Sequence, residues 1–209
     1  MLGPHVLVQP ITAMVCEATQ VYLPASDPAQ PAVWYDLHTL EALTSTPGQR
    51  VLTLPVHPDR VPSFLRGGAV LPRRDRPRRS SAATHSDPFT LLVGPDAAGA
   101  AAGSLYLDAY DGYAYQSGAA VRVGFTLASG TLVAAPDPPA PPQGVAAAAS
   151  EVERVVFLGQ SAPRRALVHR AAGGGAAEAS TAFDAATGVL TVHRPRVRVG
   201  EAFSIELVE

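Results

Sequence analysis

Short apolar runs recur along the chain, each stopped by turn-forming residues. Segments 6–9, 20–23, 32–35 and 50–54 pair β-branched or aromatic residues with a closing Pro, Asp or similar breaker. Further runs lie at 69–71, 89–93 and 104–107, then at 153–158, 165–169, 181–183, 188–192 and 202–207. Val121-Arg-Val-Gly-Phe-Thr-Leu127 alternates apolar and polar residues, which predicts a strand with one buried and one wet face. No segment sustains an apolar period of 3.6. Strands spaced by roughly 8–15 residues with turns between them predict an all-β chain built as sandwiches.

Three stretches break the strand pattern. Between Arg73 and Ser86, five arginines crowd into a Pro- and Ser-containing segment, and a domain boundary is placed there, giving units 1–80 and 81–209. Residues 134–150 contain Pro136-Asp-Pro-Pro-Ala-Pro-Pro142, which suits neither a helix nor a central strand, so an exposed loop is expected. Residues 172–179, with three consecutive glycines, read as a loose hairpin tip.

Composition narrows the function classes. The 209 residues are 47% apolar and 16% charged, so the chain is globular and large enough for a core. A net charge of -2 gives no overall pull towards nucleic acid or an anionic membrane. The one cysteine, Cys16, excludes an internal disulfide, and without any Asn there is no N-glycosylation sequon. All 16 basic residues are Arg. The six histidines show no ligand spacing, so no metal is expected, and no glycine-rich phosphate loop or nucleophile elbow calls for a cofactor.

The ordered blocks carry a resemblance. Leu7-Val-Gln-Pro10, Val21-Tyr-Leu-Pro24, Val33-Trp-Tyr-Asp36 and Val61-Pro-Ser-Phe-Leu-Arg-Gly-Gly-Ala-Val-Leu-Pro72 resemble the segment that follows the catalytic barrel in glycoside hydrolase family 31. Asp87-Pro-Phe-Thr-Leu-Leu-Val93, Gly103-Ser-Leu-Tyr-Leu-Asp108, Val152-Glu-Arg-Val-Val-Phe-Leu158 and Phe203-Ser-Ile-Glu-Leu207 are similar to the glucosidase II α-subunit branch of that family. The resemblance implies two antiparallel β-sandwich domains, proximal and distal, without the catalytic barrel. It also implies a parent that is a retaining α-glucosidase acting on glucosylated N-glycans in the endoplasmic reticulum lumen with a β-type subunit. Retaining hydrolysis needs two carboxylates about 5–5.5 Å apart, and in the family both come before the segment present here. No residue of this chain inherits a catalytic role, and inactivity is expected of the chain alone.

The candidate contacts follow from the same comparison. Trp34, Tyr35, Asp36 and Arg66 are expected to pack against the (β/α)₈ barrel of the parent, together with the surface from Val6 to Pro10. Asp108 and Asp111, among Tyr106, Tyr110, Tyr113 and Tyr115, form a weak candidate for a sugar or cation, with a hairpin turn as the plainer reading. The family pattern has its paired aspartates adjacent, whereas here Ala109 and Tyr110 separate Asp108 from Asp111. The run Arg73-Arg-Asp-Arg-Pro-Arg-Arg79 lacks interleaved aromatics and reads as a linker whose arginines meet carboxylates, not as a nucleic-acid site. A stand-alone lectin-like sandwich is the alternative to the glycosidase reading.

Overall fold

The computed structural model describes residues 1–209 except 14–16, 26, 28, 138–144 and 171–174, with the side chains of 146 and 147 also outside the description. Cys16 therefore lies outside the described residues, as does part of each expected loop. The chain is all-β, with short 3₁₀ turns and no α-helix among the described residues. The first strands are β1 (Val6–Val8), β2 (Ala18–Tyr22), β3 (Ala32–Asp36), β4 (Ala42–Ser45), β5 (Val51–Pro55) and β6 (Ser63–Arg66). Next come β7 (Ala69–Arg73), β8 (Phe89–Gly94), β9 (Ala101–Asp108), β10 (Ala120–Ala128) and β11 (Thr131–Asp137). The chain ends with β12 (Val152–Phe157), β13 (Arg165–Arg170), β14 (Ala177–Asp184), β15 (Val189–His193) and β16 (Phe203–Val208).

The described residues form three sheets. A four-stranded sheet runs β1-β6-β3-β4, and β2 with β5 forms a separate ribbon. The other ten strands close into a ring, β10-β11-β16-β13-β14-β15-β12-β8-β7-β9. The closure between β7 and β9 is thin, one parallel residue pair, Ala69↔Ala102. The pairing departs from an all-antiparallel expectation at β8, which runs parallel to β12 and antiparallel to β7. Every residue of β8 is buried, as the unbroken apolar run Phe89-Thr-Leu-Leu-Val93 requires of a strand covered on both faces.

Strand β10 behaves as its alternation demands: Val121, Val123, Phe125 and Leu127 are buried, while Arg122 and Thr126 face water. It meets β11 through Ser129 and Gly130, at φ 49° and 77°, the double left-handed pair that a two-residue hairpin turn needs. Strand β11 continues through Pro136 to Asp137, so the loop expected from residue 134 begins later than its proline content suggests. A 3₁₀ turn follows at Ala146–Ala149, with Val145 and Ala148 buried. Likewise Ala177–Ala179, expected in a hairpin tip, already belong to β14. The change from the small sheet to the ring falls at Gly67 and Gly68, between β6 and β7.

Burial follows this layering. Val21, Leu23, Trp34 and Phe64 fill the space between the ribbon and the small sheet. Tyr35, Leu65, Ala69, Leu92, Val156 and Leu158 form a second core that joins the small sheet to the ring. The largest core, including Phe125, Leu132, Phe157, Leu190 and Ile205, lies inside the ring.

Candidate functional site

Strand β3 sends successive side chains to opposite faces, so Trp34 and Tyr35 enter different cores. Trp34 pairs across the sheet with Leu43 and Arg66 and is fully buried. Its indole N–H donates to the Pro24 carbonyl at 3.1 Å, and the Arg66 guanidinium sits 5.8 Å from the ring centroid. Tyr35 is buried on the other face, and its hydroxyl donates to the Pro95 carbonyl at 2.8 Å. The side chain is clamped between Gly94 and Gly159, where an added Cβ would come within 2.8 Å of the ring and 2.9 Å of the hydroxyl oxygen. Burial first, and the charge of Asp96 second, push the phenol up to about 12.

These positions correct the expected role of Trp34 and Tyr35. Both rings are enclosed by this chain's own ribbon and ring strands, so neither has surface left to lay against another domain. Asp36 is half-buried, and its Oδ1 accepts from the His38 and Thr39 N–H groups at 2.7 and 3.0 Å, closing the turn after β3. Arg66 is also half-buried.

The arginine run is tied down by carboxylates and carbonyls. Arg78 meets Asp87 in a fork, Nη2 to Oδ1 at 2.6 Å and Nε to Oδ2 at 2.9 Å, and Asp87 is 2% exposed. Arg74 donates to the Asp87 and His85 carbonyls at 3.2 and 3.0 Å and lies 4.2 Å from the Phe89 ring centroid. Arg76 binds Glu153 at 3.0 Å, and Asp75 stands 3.1 Å from Arg73 and 3.6 Å from Arg154. The Asp87 carboxyl is held below the usual carboxylate range, chiefly by its hydrogen bonds from Arg78. Asp87 was the partner that sequence reasoning missed, since nothing local marks an Asp before Pro88 as the acceptor for a run nine residues upstream.

Asp108 and Asp111 come together in the β9–β10 hairpin loop, each serving the backbone. Asp108 Oδ1 accepts from the Tyr110 N–H at 2.8 Å, and Asp111 Oδ1 accepts from the Gly112 N–H at 2.8 Å. Tyr110 adopts φ 62° and stacks on His85 at 3.9 Å between centroids. The Arg74 guanidinium lies 5.5 Å from the same ring. Tyr113 precedes and Tyr115 lies within a 3₁₀ turn at Ala114–Ser117, with ring centroids 6.4 Å apart. Tyr106 sits beside Asp108, and desolvation first, then that carboxylate's charge, hold its phenol above the usual tyrosine pKa.

Two cavities are lined by several charged side chains. One of about 760 Å³ is lined by Arg170, His193, Arg194 and Arg196 with Glu178. There Arg170 donates to the Arg196 and Pro195 carbonyls at 3.0 and 2.9 Å, bracing two arginines at φ 46° and 56°. The other, about 220 Å³, is lined by Asp36, His38, Glu41 and His57, and its Asp36 carboxylate is already engaged in the turn. Among the described residues no group of three or more His, Cys, Asp or Glu is placed to hold a metal ion.

Comparison with known proteins supplies the family. Residues 1–71 match the model described as the glycosyl hydrolase family 31 C-terminal domain. The neutral α-glucosidase AB of Sus scrofa is 35% identical over 208 residues, covering 99% of this chain and 21% of that protein. The crystal structure of a glucosidase II α subunit in an α3-Glc2-bound state superposes with a TM-score of 0.83 at 27% identity, covering 97% of this chain and 22% of the other. An ER glucosidase II heterodimer, of catalytic subunit and the binding domain of the regulatory subunit, gives 0.81 at 27% identity, again over 97% and 22%. The chain thus spans about a fifth of the length of the relatives it matches.

Proposed function

This chain belongs to glycoside hydrolase family 31, as a C-terminal region of the glucosidase II α-like kind, and on that premise we propose that it is the non-catalytic support of an α-glucosidase barrel. The observation that carries the reading is the match to neutral α-glucosidase AB along 99% of this chain. A scaffold must be stiff, and the clamp of Tyr35 between Gly94 and Gly159 joins the small sheet to the ring through a buried aromatic.

We place two sandwich units within the ring and its neighbours. The first is built on residues 1–80, where ribbon and small sheet enclose Trp34. The second, residues 81–209, supplies nine of the ten ring strands, flattened around their core, and β7 (Ala69–Arg73) of the first unit completes the ring through the single-pair closure at Ala69↔Ala102. The partners in this reading are a (β/α)₈ barrel in the same parent chain, a β-type subunit, and a glucosylated glycan as the parent's substrate, in the endoplasmic reticulum lumen. Asp36 and Arg66, with their remaining surface, and Val6–Val8 at the sheet edge are the contacts offered to the barrel.

The test has two arms. The 209-residue chain should hydrolyse no nitrophenyl α-glucoside, and should raise the melting temperature of a glucosidase II α fragment lacking its own corresponding fifth. Turnover by the pure chain, at a rate that tracks its concentration through every purification step, overturns the non-catalytic reading. Absence of any effect on the fragment overturns the support reading.

A further inference from the structure

The tyrosines of β9 and of the β9–β10 loop are unusual for a chain with so few aromatics: Tyr106, Tyr110, Tyr113 and Tyr115 are 48, 40, 75 and 44% exposed. Tyr110 has local work, since it is stacked on His85, approached by Arg74 and fixed by Asp108. The other three side chains are more exposed than Tyr110. Tyr113 and Tyr115 stand 6.4 Å apart with planes inclined by 51°, and Gln116 Nε2 reaches the Tyr115 hydroxyl at 3.5 Å. Tyr106 lies across from Arg122 on β10, whose guanidinium is 5.9 Å from the ring centroid, and Asp137 on β11 stands opposite Arg122 in the strand register. The same loop supplies Asp108 at its root and Asp111 at its tip.

We propose that Tyr106, Tyr113 and Tyr115, with Asp108 and Arg122, form a surface site for a neutral oligosaccharide. A pyranose presents an apolar C–H face and a rim of hydroxyls. Exposed rings cover the first, while carboxylate acceptors and guanidinium donors satisfy the second. The outward positions beside the rings are Ala102, Ser104, Gly124 and Thr126, small residues that leave room for a flat ligand. With opposite charges interleaved, the face lacks the single sign that would select an ionic ligand. The proposal rests on this face alone and not on the α-glucosidase reading.

A shallow site of three rings should bind weakly, with Kd on the order of 0.1–1 mM. Titration of the 209-residue chain with maltotetraose and, separately, with an α-linked mannotetraose, followed by NMR shift changes, reads this directly. At least one probe should saturate, with shifts confined to the loop and the β9–β10 face. Tyr113→Ala and Tyr115→Ala should each weaken binding about tenfold at unchanged melting temperature, because both side chains are exposed. Tyr115→Phe should keep most of the affinity, since the ring face and not the hydroxyl carries the stacking. No saturable shift with either sugar up to 10 times the expected Kd, in protein that melts like the wild type, overturns the site. So does sugar binding that the two alanine variants leave unchanged, or a surface that proves to mediate self-association without binding sugar.

Discussion

Arg78 and Asp87 show how one residue pair anchors a segment that has no strand to hold it. The two-point fork places a nearly buried carboxylate under a guanidinium that still touches water, and Arg74 closes the same site through the Asp87 and His85 carbonyls. Two opposing effects act on Asp87: its hydrogen bonds from Arg78 lower its pKa, desolvation raises it, and the hydrogen bonds prevail. Because its folded value lies below that of the unfolded chain, the pair contributes fully above the unfolded value of about 3.9 and its contribution is lost as pH falls through the folded value. Arg78→Ala should therefore lower the melting temperature at pH 7 by about 3 °C or more. On going from pH 5 to pH 2.5, the wild type should lose more stability than the variant does. Parallel melting curves for the two proteins across that range would remove the pair from the account. The arginines were legible in the sequence as a tethered linker, but their acceptor was not, because Asp87 is brought beneath them only when β8 docks between β7 and β12.

Among the elements, β8 carries the most. It is buried along its whole length and is hydrogen-bonded on both edges, to β7 antiparallel and to β12 parallel. Leu91 faces the ring core and Leu92 the core shared with the small sheet, so the strand is packed from both sides. Leu91→Ala removes a fully buried side chain and should cost about 2–5 kcal/mol, or roughly 5–15 °C in melting temperature. Val133→Ala on β11, at 41% exposure on an outward position, should change stability by less than about 0.5 kcal/mol. Thermal or urea unfolding of both variants checks the contrast, and equal losses would mean that the assigned faces are wrong. An unbroken apolar run is a direct sign of such a strand. Its parallel partner is not, because β12 lies some sixty residues onward and nothing in either segment states which strand will be its neighbour.

At the scale of the molecule, the small sheet and the ring share a core centred on Tyr35, Leu65, Leu92 and Leu158. Surfaces so joined should unfold together, and calorimetry of the intact chain should give a single transition. Tyr35→Ala empties the space between Gly94 and Gly159 and should cost about 3–5 kcal/mol, splitting the transition in two as the small sheet melts first. Tyr35→Phe keeps the ring and loses only the bond to the Pro95 carbonyl, so it should stay in one transition at a cost of about 1 kcal/mol. Two transitions in the wild type would show that the shared core does not couple the sheets.

The all-β character, most strand positions, the turn at Asp108–Gly112 and the family were all readable from the chain alone, because they depend on side-chain alternation, turn chemistry and the order of short motifs. Tertiary structure decided what the same residues touch. Trp34 and Tyr35 look like contact residues in a row of letters, yet neighbouring positions on a strand face opposite ways, and both faces of this one are covered by distant segments of the same chain. The closure of ten strands into a ring and the parallel docking of β12 on β8 likewise depend on contacts between residues far apart in sequence. Local pattern determines whether a residue is in a strand and which way it alternates. Only the pairing of strands determines what stands across from it.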